Sequence, residues 1–195
     1  MVAFSDTVTL VSGTPQFRIK EDFSDVAPTY FFYGQSEVEE DLVGANTQTR
    51  NQKQVRTFDS VCATTAGDVV FSLISGKATI VQAGHSGYLL TQNYCKLVPS
   101  SAVDAKYLVY MLNENKEIRH QLQSGQQGST TLKYTIKQLS ALVFPFLPST
   151  DKQKIIGELY FSQLRVEALK KRVSTLETAL VLEKIKGAHF QRFGL

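Results

Sequence analysis

Residues 149–187 read STDKQKIIGELYFSQLRVEALKKRVSTLETALVLEKIKG. From Ile155 onward the apolar residues recur at alternating gaps of four and three, which is the heptad pattern of a helix that pairs with another helix. Ser162 is the polar exception in this stripe. The apolar members, which we call the seam, are Ile155, Leu159, Val166, Leu169, Val173, Leu176 and Leu180.

The same stretch carries signals for both ends of a helix. Thr150 and Gln153 have the spacing of a capping box, and Gly187 is a candidate stop. The helix would be about 50–60 Å long at ~1.5 Å per residue, which exceeds the body of a compact domain of this size. The pattern therefore predicts a strut or a dimerisation arm.

A helix that packs on its own domain is the alternative for this stretch. The apolar stripe is narrower than the face of a helix lying on a globular core, and charged residues flank it densely. Pairing with a partner helix is therefore favoured. The flanking charges are Arg165, Glu167, Lys170, Lys171, Arg172, Glu177, Glu183 and Lys184.

The composition indicates one folded domain with a helical extension. A chain of 195 residues can bury one core of about 150 residues and leave an arm over. The 43% apolar and 20% charged residues exclude wholesale disorder. The net charge of +3 permits an anionic partner without requiring one.

Cysteine usage and the absence of long apolar runs bear on the compartment. Cys62 and Cys95 lack the paired spacing with histidine that a zinc site needs, which predicts no metal site and two reduced, buried residues. The first ten residues lack a signal-peptide pattern, and no run approaches the ~18 apolar residues of a membrane span. We expect a cytoplasmic chain with no membrane partner.

Upstream of the arm, short segments rich in Val, Ile, Phe and Tyr alternate with clusters of Gly, Ser, Asn and Thr. This alternation predicts an irregular, largely antiparallel β region. The fold class is therefore α+β, with a β-rich globular body over residues 1–148 and a long helix over residues 149–195. The strands are predicted near residues 7–11, 30–33, 54–58, 68–72, 78–81 and 94–98.

Helices are predicted at two places in the body. Ser101 and Asp104 open a helix that should end near Gln123. Thr135 can cap a short helix over residues 136–139, which leads into a strand over residues 141–146 that ends at the prolines.

Motifs for catalysis are incomplete in this sequence. Ser75-Gly76-Lys77 resembles the end of a phosphate-binding loop, but Phe71 stands where that loop needs its first glycine. Gly84-His85-Ser86-Gly87 lacks the spacing of a nucleophile elbow. We expect no catalytic residues in this chain, and an enzyme with a dispersed active site remains the catalytic alternative.

Several segments together resemble the DNA-specificity subunits of type I restriction–modification enzymes. Val11-Ser12-Gly13-Thr14-Pro15 resembles the turn that opens a target recognition domain, and Gly67-Asp68-Val69-Val70-Phe71-Ser72 resembles its Gly-Asp-aliphatic-aliphatic-Phe signature. Their order and spacing over nearly the whole chain carry the resemblance. A third set of residues resembles the join between the recognition domain and the spacer helix; it consists of Gly128-Ser129-Thr130, Ile136, Leu139, Pro145, Pro148, Gln153 and Ile156.

Two features depart from this family. Lys152 precedes Gln153 where the family more often has Glu. Family members usually carry two recognition domains and two spacer helices, whereas this sequence has one of each, so it resembles a half-subunit.

The resemblance implies a non-catalytic specificity subunit that binds double-stranded DNA. It implies a methyltransferase subunit as partner and a restriction subunit recruited through it, with S-adenosylmethionine, Mg and ATP on those partners and no cofactor in this chain. Two copies joined along the seam would form a homodimer that reads an interrupted inverted repeat. A coiled-coil assembly or scaffold protein that binds no DNA is the alternative.

A DNA reader needs cations for phosphates and planar amide or guanidinium groups for base edges. The polar run over residues 46–54 is the first candidate for base reading, and a solvated loop is an equal alternative for it. The same alternative holds for the polar segment over residues 126–134. The predicted DNA-binding residues are Arg18, Lys20, Gln48, Arg50, Asn51, Lys53, Arg56, Lys77, Thr79, Gln126, Gln127, Ser129, Thr130, Lys133 and Tyr134.

Overall fold

The structure, a computed structural model, describes residues 1–44, 52–124 and 133–193. Its strands within these ranges are β1 (Val2–Ala3), β2 (Val8–Ser12), β3 (Thr29–Phe31), β4 (Gln54–Arg56), β5 (Val69–Ser72), β6 (Ala78–Ile80), β7 (Tyr94–Pro99) and β8 (Val143–Phe144). Its α-helices there are α1 (Gln35–Val43), α2 (Ala105–Glu114), α3 (Lys116–Ser124), α4 (Ile136–Ser140) and α5 (Thr150–Phe193). The predicted α+β class with a long C-terminal helix is confirmed.

The main sheet has four strands in the order β2-β7-β5-β6, all antiparallel to their neighbours. β5 lies inside this sheet and is buried along its whole length, which is why its sequence is a continuous apolar run. Val69 and Phe71 join the larger core, whereas Val70 joins a second cluster with Tyr33 and Val38. Helices therefore cover both faces of the sheet.

Two short antiparallel pairs complete the body. β1 pairs with β8, which brings the start of the chain beside the segment that precedes α5. β3 pairs with β4, with Tyr30 opposite Val55. The predicted strand over residues 141–146 is thus shorter than expected, because Leu142 N–H still bonds back to Leu139 O and Pro145 has no N–H to donate.

Helix α1 was missed by the sequence analysis. Its nine residues are mostly polar, so the apolar periodicity is weak. Glu37 accepts a 2.9 Å hydrogen bond from the backbone N–H of Gly34, which stabilises the start of the helix. Gly44, with φ of 62°, ends it in the left-handed conformation.

The single helix predicted between Asp104 and Gln123 is two helices, and that prediction was wrong. Asp104 caps α2 as expected, since its carboxylate accepts from Tyr107 N–H at 2.9 Å. Asn115 then adopts an extended conformation and ends α2. Its side-chain oxygen accepts from the N–H groups of Glu117 and Ile118, which starts α3 in a new direction.

The C-terminal helix runs from Thr150 to Phe193 without a stop at Gly187, so that boundary was predicted wrongly. Forty-four residues correspond to about 65 Å of helix. The capping box is also absent, because Gln153 N–H bonds to Ser149 O while the Gln153 side chain lies buried against the body. We call α5 the arm.

The base of the arm packs on α2. Gly157 is required there, because a Cβ at this position would lie 2.5 Å from Lys106 Cβ and 2.8 Å from Tyr107 N. Tyr160 donates to Glu114 at 3.0 Å, and Lys106 reaches Glu158 at 2.6 Å. These contacts fix the direction in which the arm leaves the body.

Most of the seam faces away from α2. Gly157 contacts α2, and Leu159 is two residues on, or about 200° around a helix of 3.6 residues per turn. Val166 differs, because it lines a cleft between the arm and Leu42 and Val43 of α1. All seven seam residues are 42–66% exposed, so a second helix can reach them.

Candidate nucleic-acid interface

Two turns of the body are joined by backbone hydrogen bonds. The first is the segment from Gly13 to Gln16, and the second lies between Leu90 and Tyr94. Thr14 N–H donates to Leu90 O at 2.8 Å, and Gln92 N–H donates to Thr14 O at 3.1 Å. Gly13 is needed at this join, because a Cβ there would collide with the Thr91 carbonyl.

Cations and amides surround these paired turns. Gln92 accepts a 2.6 Å hydrogen bond from Gln16 N–H through its side-chain oxygen. Lys133 Nζ lies 3.4 Å from Asn93 Oδ1, and Arg18 follows Phe17, whose ring lies 5.6 Å from the guanidinium carbon. Gln92, Arg18 and Lys133 are exposed. The structure thus places Lys133 beside Asn93, and Arg18 two residues along the chain from Gln16.

A second group of predicted cations lies along β4. Lys20 is exposed, and its backbone N–H donates to Asp59 at 2.7 Å. Arg56 forms a 3.0 Å ion pair with Asp25, whose side chain is almost fully exposed. Acidic residues outnumber the cations in this region; they are Glu21, Asp22, Asp25 and Asp59.

Lys53 and Lys77 already have partners within the chain. Lys53 Nζ lies 5.1 Å from the centre of the Phe32 ring, which is a cation–π distance. Lys77 Nζ lies 3.9 Å from Glu114, and both side chains are partly exposed. Both cations remain accessible to a phosphate, and their predicted contacts stay predictions.

Two predicted contacts must be withdrawn on grounds of burial. Thr79 is fully buried in β6, where no phosphate can reach it. Tyr134 is 9% exposed and packs edge-on against Phe71 at 6.0 Å between ring centres. Both residues are buried. Their burial could not be predicted from the sequence, because the segments around them read like surface loops.

The remaining predicted DNA contacts lie outside the described residues. They are Gln48, Arg50, Asn51, Gln126, Gln127, Ser129 and Thr130.

The Gly-Asp signature has a structural role in this fold. Asp68 accepts from Thr65 N–H at 2.6 Å and forms a 2.6 Å ion pair with Lys96 on β7. The pair is about one-fifth exposed on each side. The signature therefore sets the start of the buried strand β5 and does not itself supply a binding group.

A buried polar cluster lies under α1. Tyr33 donates to Asp41 at 2.6 Å, and His85 Nδ1 lies 2.7 Å from the other carboxylate oxygen. Burial raises the pKa of Asp41, while the hydrogen bonds from Tyr33 and His85 act to lower it. Burial also raises the pKa of Tyr33 far above its usual value. These groups satisfy one another inside the fold and present no open site.

The described part of the chain offers neither a metal-binding group nor a membrane-spanning helix. No group of three or more His, Cys, Asp or Glu side chains there is arranged to hold a metal ion. No described helix combines the length and apolar character needed to cross a bilayer.

Comparison with known proteins gives matches in structure alone. No family model and no curated protein matches the sequence. The HsdS subunit from Thermoanaerobacter tengcongensis matches with a TM-score of 0.54 at 17% identity, over 91% of this chain and 38% of that one. The S subunit of a type I restriction–modification system from M. genitalium matches with a TM-score of 0.50 at 14% identity, over 93% and 41%.

A third solved chain points to the same class. It comes from a study of complex assembly and conformational transition in a type I R-M system, and it matches with a TM-score of 0.59 at 16% identity, over 94% of this chain and 42% of that one. The protein therefore has the fold of a type I restriction–modification specificity subunit, as the sequence motifs predicted. It spans 38–42% of the length of these chains.

Proposed function

We propose that this chain is a sequence-specific DNA-binding specificity subunit of a type I restriction–modification enzyme, and that it acts as a homodimer. The fold likeness to solved specificity subunits carries the proposal. In this account the body reads DNA and the arm joins two copies. The chain itself is non-catalytic.

The placement of the seam supports pairing through the arm. Seven apolar side chains at heptad spacing are exposed along the arm. A continuous apolar stripe of this kind is unfavourable in water unless a partner covers it. A second copy supplies an identical stripe. Two-fold pairing of identical chains is the commonest form of a homo-oligomer.

A two-fold pair has a definite consequence for DNA. Identical reading bodies related by a two-fold axis should recognise an inverted repeat. The seam from Ile155 to Leu180 spans roughly 40 Å of helix, which equals the rise of about ten base pairs. The half-sites should therefore be separated by a gap of several unread base pairs.

The proposed partners follow from the function of such a subunit. A methyltransferase subunit would dock on the dimer, and a restriction subunit would join through the methyltransferase. S-adenosylmethionine, Mg and ATP belong to those partners in this proposal. The exposed cations Arg18, Lys20 and Lys133 would contact phosphates, which position the body without specifying sequence.

A gel-shift titration with a library of genomic duplex fragments tests the proposal. The purified chain is titrated with and without the co-expressed methyltransferase subunit. We expect a subset of fragments to be retained, each with the same interrupted inverted repeat. Equal retention of all fragments, or of none, together with a stable dimer would favour a scaffold protein that does not read DNA.

A further inference from the structure

We propose that Gln92 and Asn93, on the turn between Leu90 and Tyr94, read base edges of the DNA. This inference rests on the proposed function, because it names the base-contacting residues of that site. The sequence analysis did not select either residue. The paired turns described above single them out.

The turn that carries these amides is held rigidly. Tyr94 N–H donates to Thr91 O at 3.0 Å within the turn, and Gly13 N–H donates to Tyr94 O at 3.1 Å from the neighbouring turn. On the other side, Leu73 N–H donates to Asn93 O at 2.9 Å. A reading group gains specificity when its position is fixed before binding, since less freedom is lost in the complex.

The side-chain amide of Gln92 is oriented by its own hydrogen bond. Its oxygen accepts from Gln16 N–H and keeps a second lone pair, while its NH2 group has no partner among the described residues. One acceptor and one donor in a plane match the N6 and N7 edge of adenine in the major groove. Adenine is therefore the base that Gln92 fits best.

Two other amides of the described body are fully used inside the fold, unlike the exposed amide of Gln92. Asn113 bonds both backbone groups of Ala78, at 2.8 and 2.9 Å. Gln121 bonds the N–H and the carbonyl of Val143 in the same way. By contrast, Gln92 is exposed, and Asn93 directs its oxygen toward the lysine Lys133.

The charge around the turn fits a phosphate backbone. Arg18 and Lys133 flank the amides, and neither forms an ion pair with an acid among the described residues. The region along β4 differs, because its four carboxylates outnumber its cations. A DNA strand would therefore meet cations at the paired turns and an excess of acidic groups along β4.

Selection from a duplex library with a randomised core tests this assignment. The full chain and the Gln92→Met variant each select binding sequences, and the affinity of both for the wild-type consensus and for its single-base variants is then measured. We expect the variant to lose roughly tenfold in affinity for the consensus and to stop discriminating at one base pair per half-site. Asn93→Ser should reduce discrimination between bases at a neighbouring position of the half-site.

Two controls separate the possible outcomes. Gln163→Met makes the same change on the arm and should leave the consensus unaltered. Arg18→Ala should weaken binding to all sequences alike. It should also lower the salt dependence of the binding constant by the amount expected for about one lost phosphate contact. Unchanged discrimination in Gln92→Met and Asn93→Ser would overturn this inference, whereas a wild-type chain that selects no sequence would overturn the proposed function itself. If Gln92→Met lost the same amount of affinity for every sequence, Gln92 would have a structural role alone, and the inference would also be overturned.

Discussion

The side-chain oxygen of Gln153 accepts a 2.9 Å hydrogen bond from the backbone N–H of Asp104, the capping residue of α2. The Gln153 NH2 group donates to Ala102 O at 3.0 Å and to Pro148 O at 2.9 Å. One buried amide in the first turn of the arm thus satisfies three backbone groups of the body. This arrangement fixes the base of the arm at the point where the arm leaves the body.

Replacing Gln153 with Leu should lower the free energy of unfolding by about 2–4 kcal/mol. The reason is that one N–H and two carbonyls in a partly buried region would lose their shared partner. Each lost partner costs about 1–3 kcal/mol where water cannot replace it. Urea denaturation followed by circular dichroism measures the effect. Gln163 is an exposed amide nearly three turns further along the same helix. Gln163→Leu should therefore change stability by less than about 0.5 kcal/mol. Equal effects of the two substitutions would show that Gln153 does not anchor the arm.

Replacing both Leu169 and Leu176 with Glu should convert a dimer into a monomer. Each substitution places a carboxylate in the seam, where pairing would bury it without a counter-charge. Light scattering coupled to size-exclusion chromatography measures the mass. Lys171→Glu, on the side of the arm away from the seam, should leave the mass unchanged. The same mass before and after the double substitution would remove the seam as the dimer interface.

Two glycines of the arm should respond to alanine in opposite directions. Gly157→Ala should lower the free energy of unfolding by about 1–3 kcal/mol, because its Cβ would overlap α2. Gly187→Ala has open space around it and should raise stability by up to about 1 kcal/mol, since alanine favours helix. Urea midpoints measure both changes. A gain in stability for Gly157→Ala would contradict the close approach of α2 and the arm.

Stability should decline as the pH rises above about 9. Burial raises the pKa of Cys95 to about 11 and that of Tyr94 to about 12, from ordinary values of 9.0 and 10.0. Between those limits the unfolded chain releases protons that the folded chain retains, so the unfolded state binds fewer protons and the free energy of unfolding falls with pH. Tyr94→Phe should flatten the decline above pH 10. Urea midpoints between pH 7 and 11 measure this, and an unchanged slope in Tyr94→Phe would rule out Tyr94 as a contributor.

The sequence predicted the elements whose pattern is local. The arm follows from a heptad repeat, and β5 follows from a run of apolar residues that is buried on both faces. The short helix α4 follows from Thr135, which accepts from Gln138 N–H at 3.1 Å as its cap. The dimer contacts of the seam and the DNA contacts of the accessible cations stay predictions.

The sequence could not predict features that depend on distant partners. Thr79 looks like a surface residue because it follows a polar turn and lies on the edge strand β6, but helices that pack against this strand bury it. Gln153 looks like half of a capping box, yet two of its partners, Asp104 and Ala102, lie 49 and 51 residues away in the sequence. Gln92 is in a short polar turn like many others, and only its bond to Gln16, 76 residues away, distinguishes it.

In the proposed function, two copies of this chain form a reader of double-stranded DNA that directs methylation. The decisive experiment maps methylated positions in genomic DNA from cells that express the chain with its methyltransferase subunit. We expect methyl groups at one inverted repeat with an unread gap of several base pairs, and their loss when Leu169 and Leu176 are both replaced with Glu. An identical methylation map in cells that lack the chain would contradict the account.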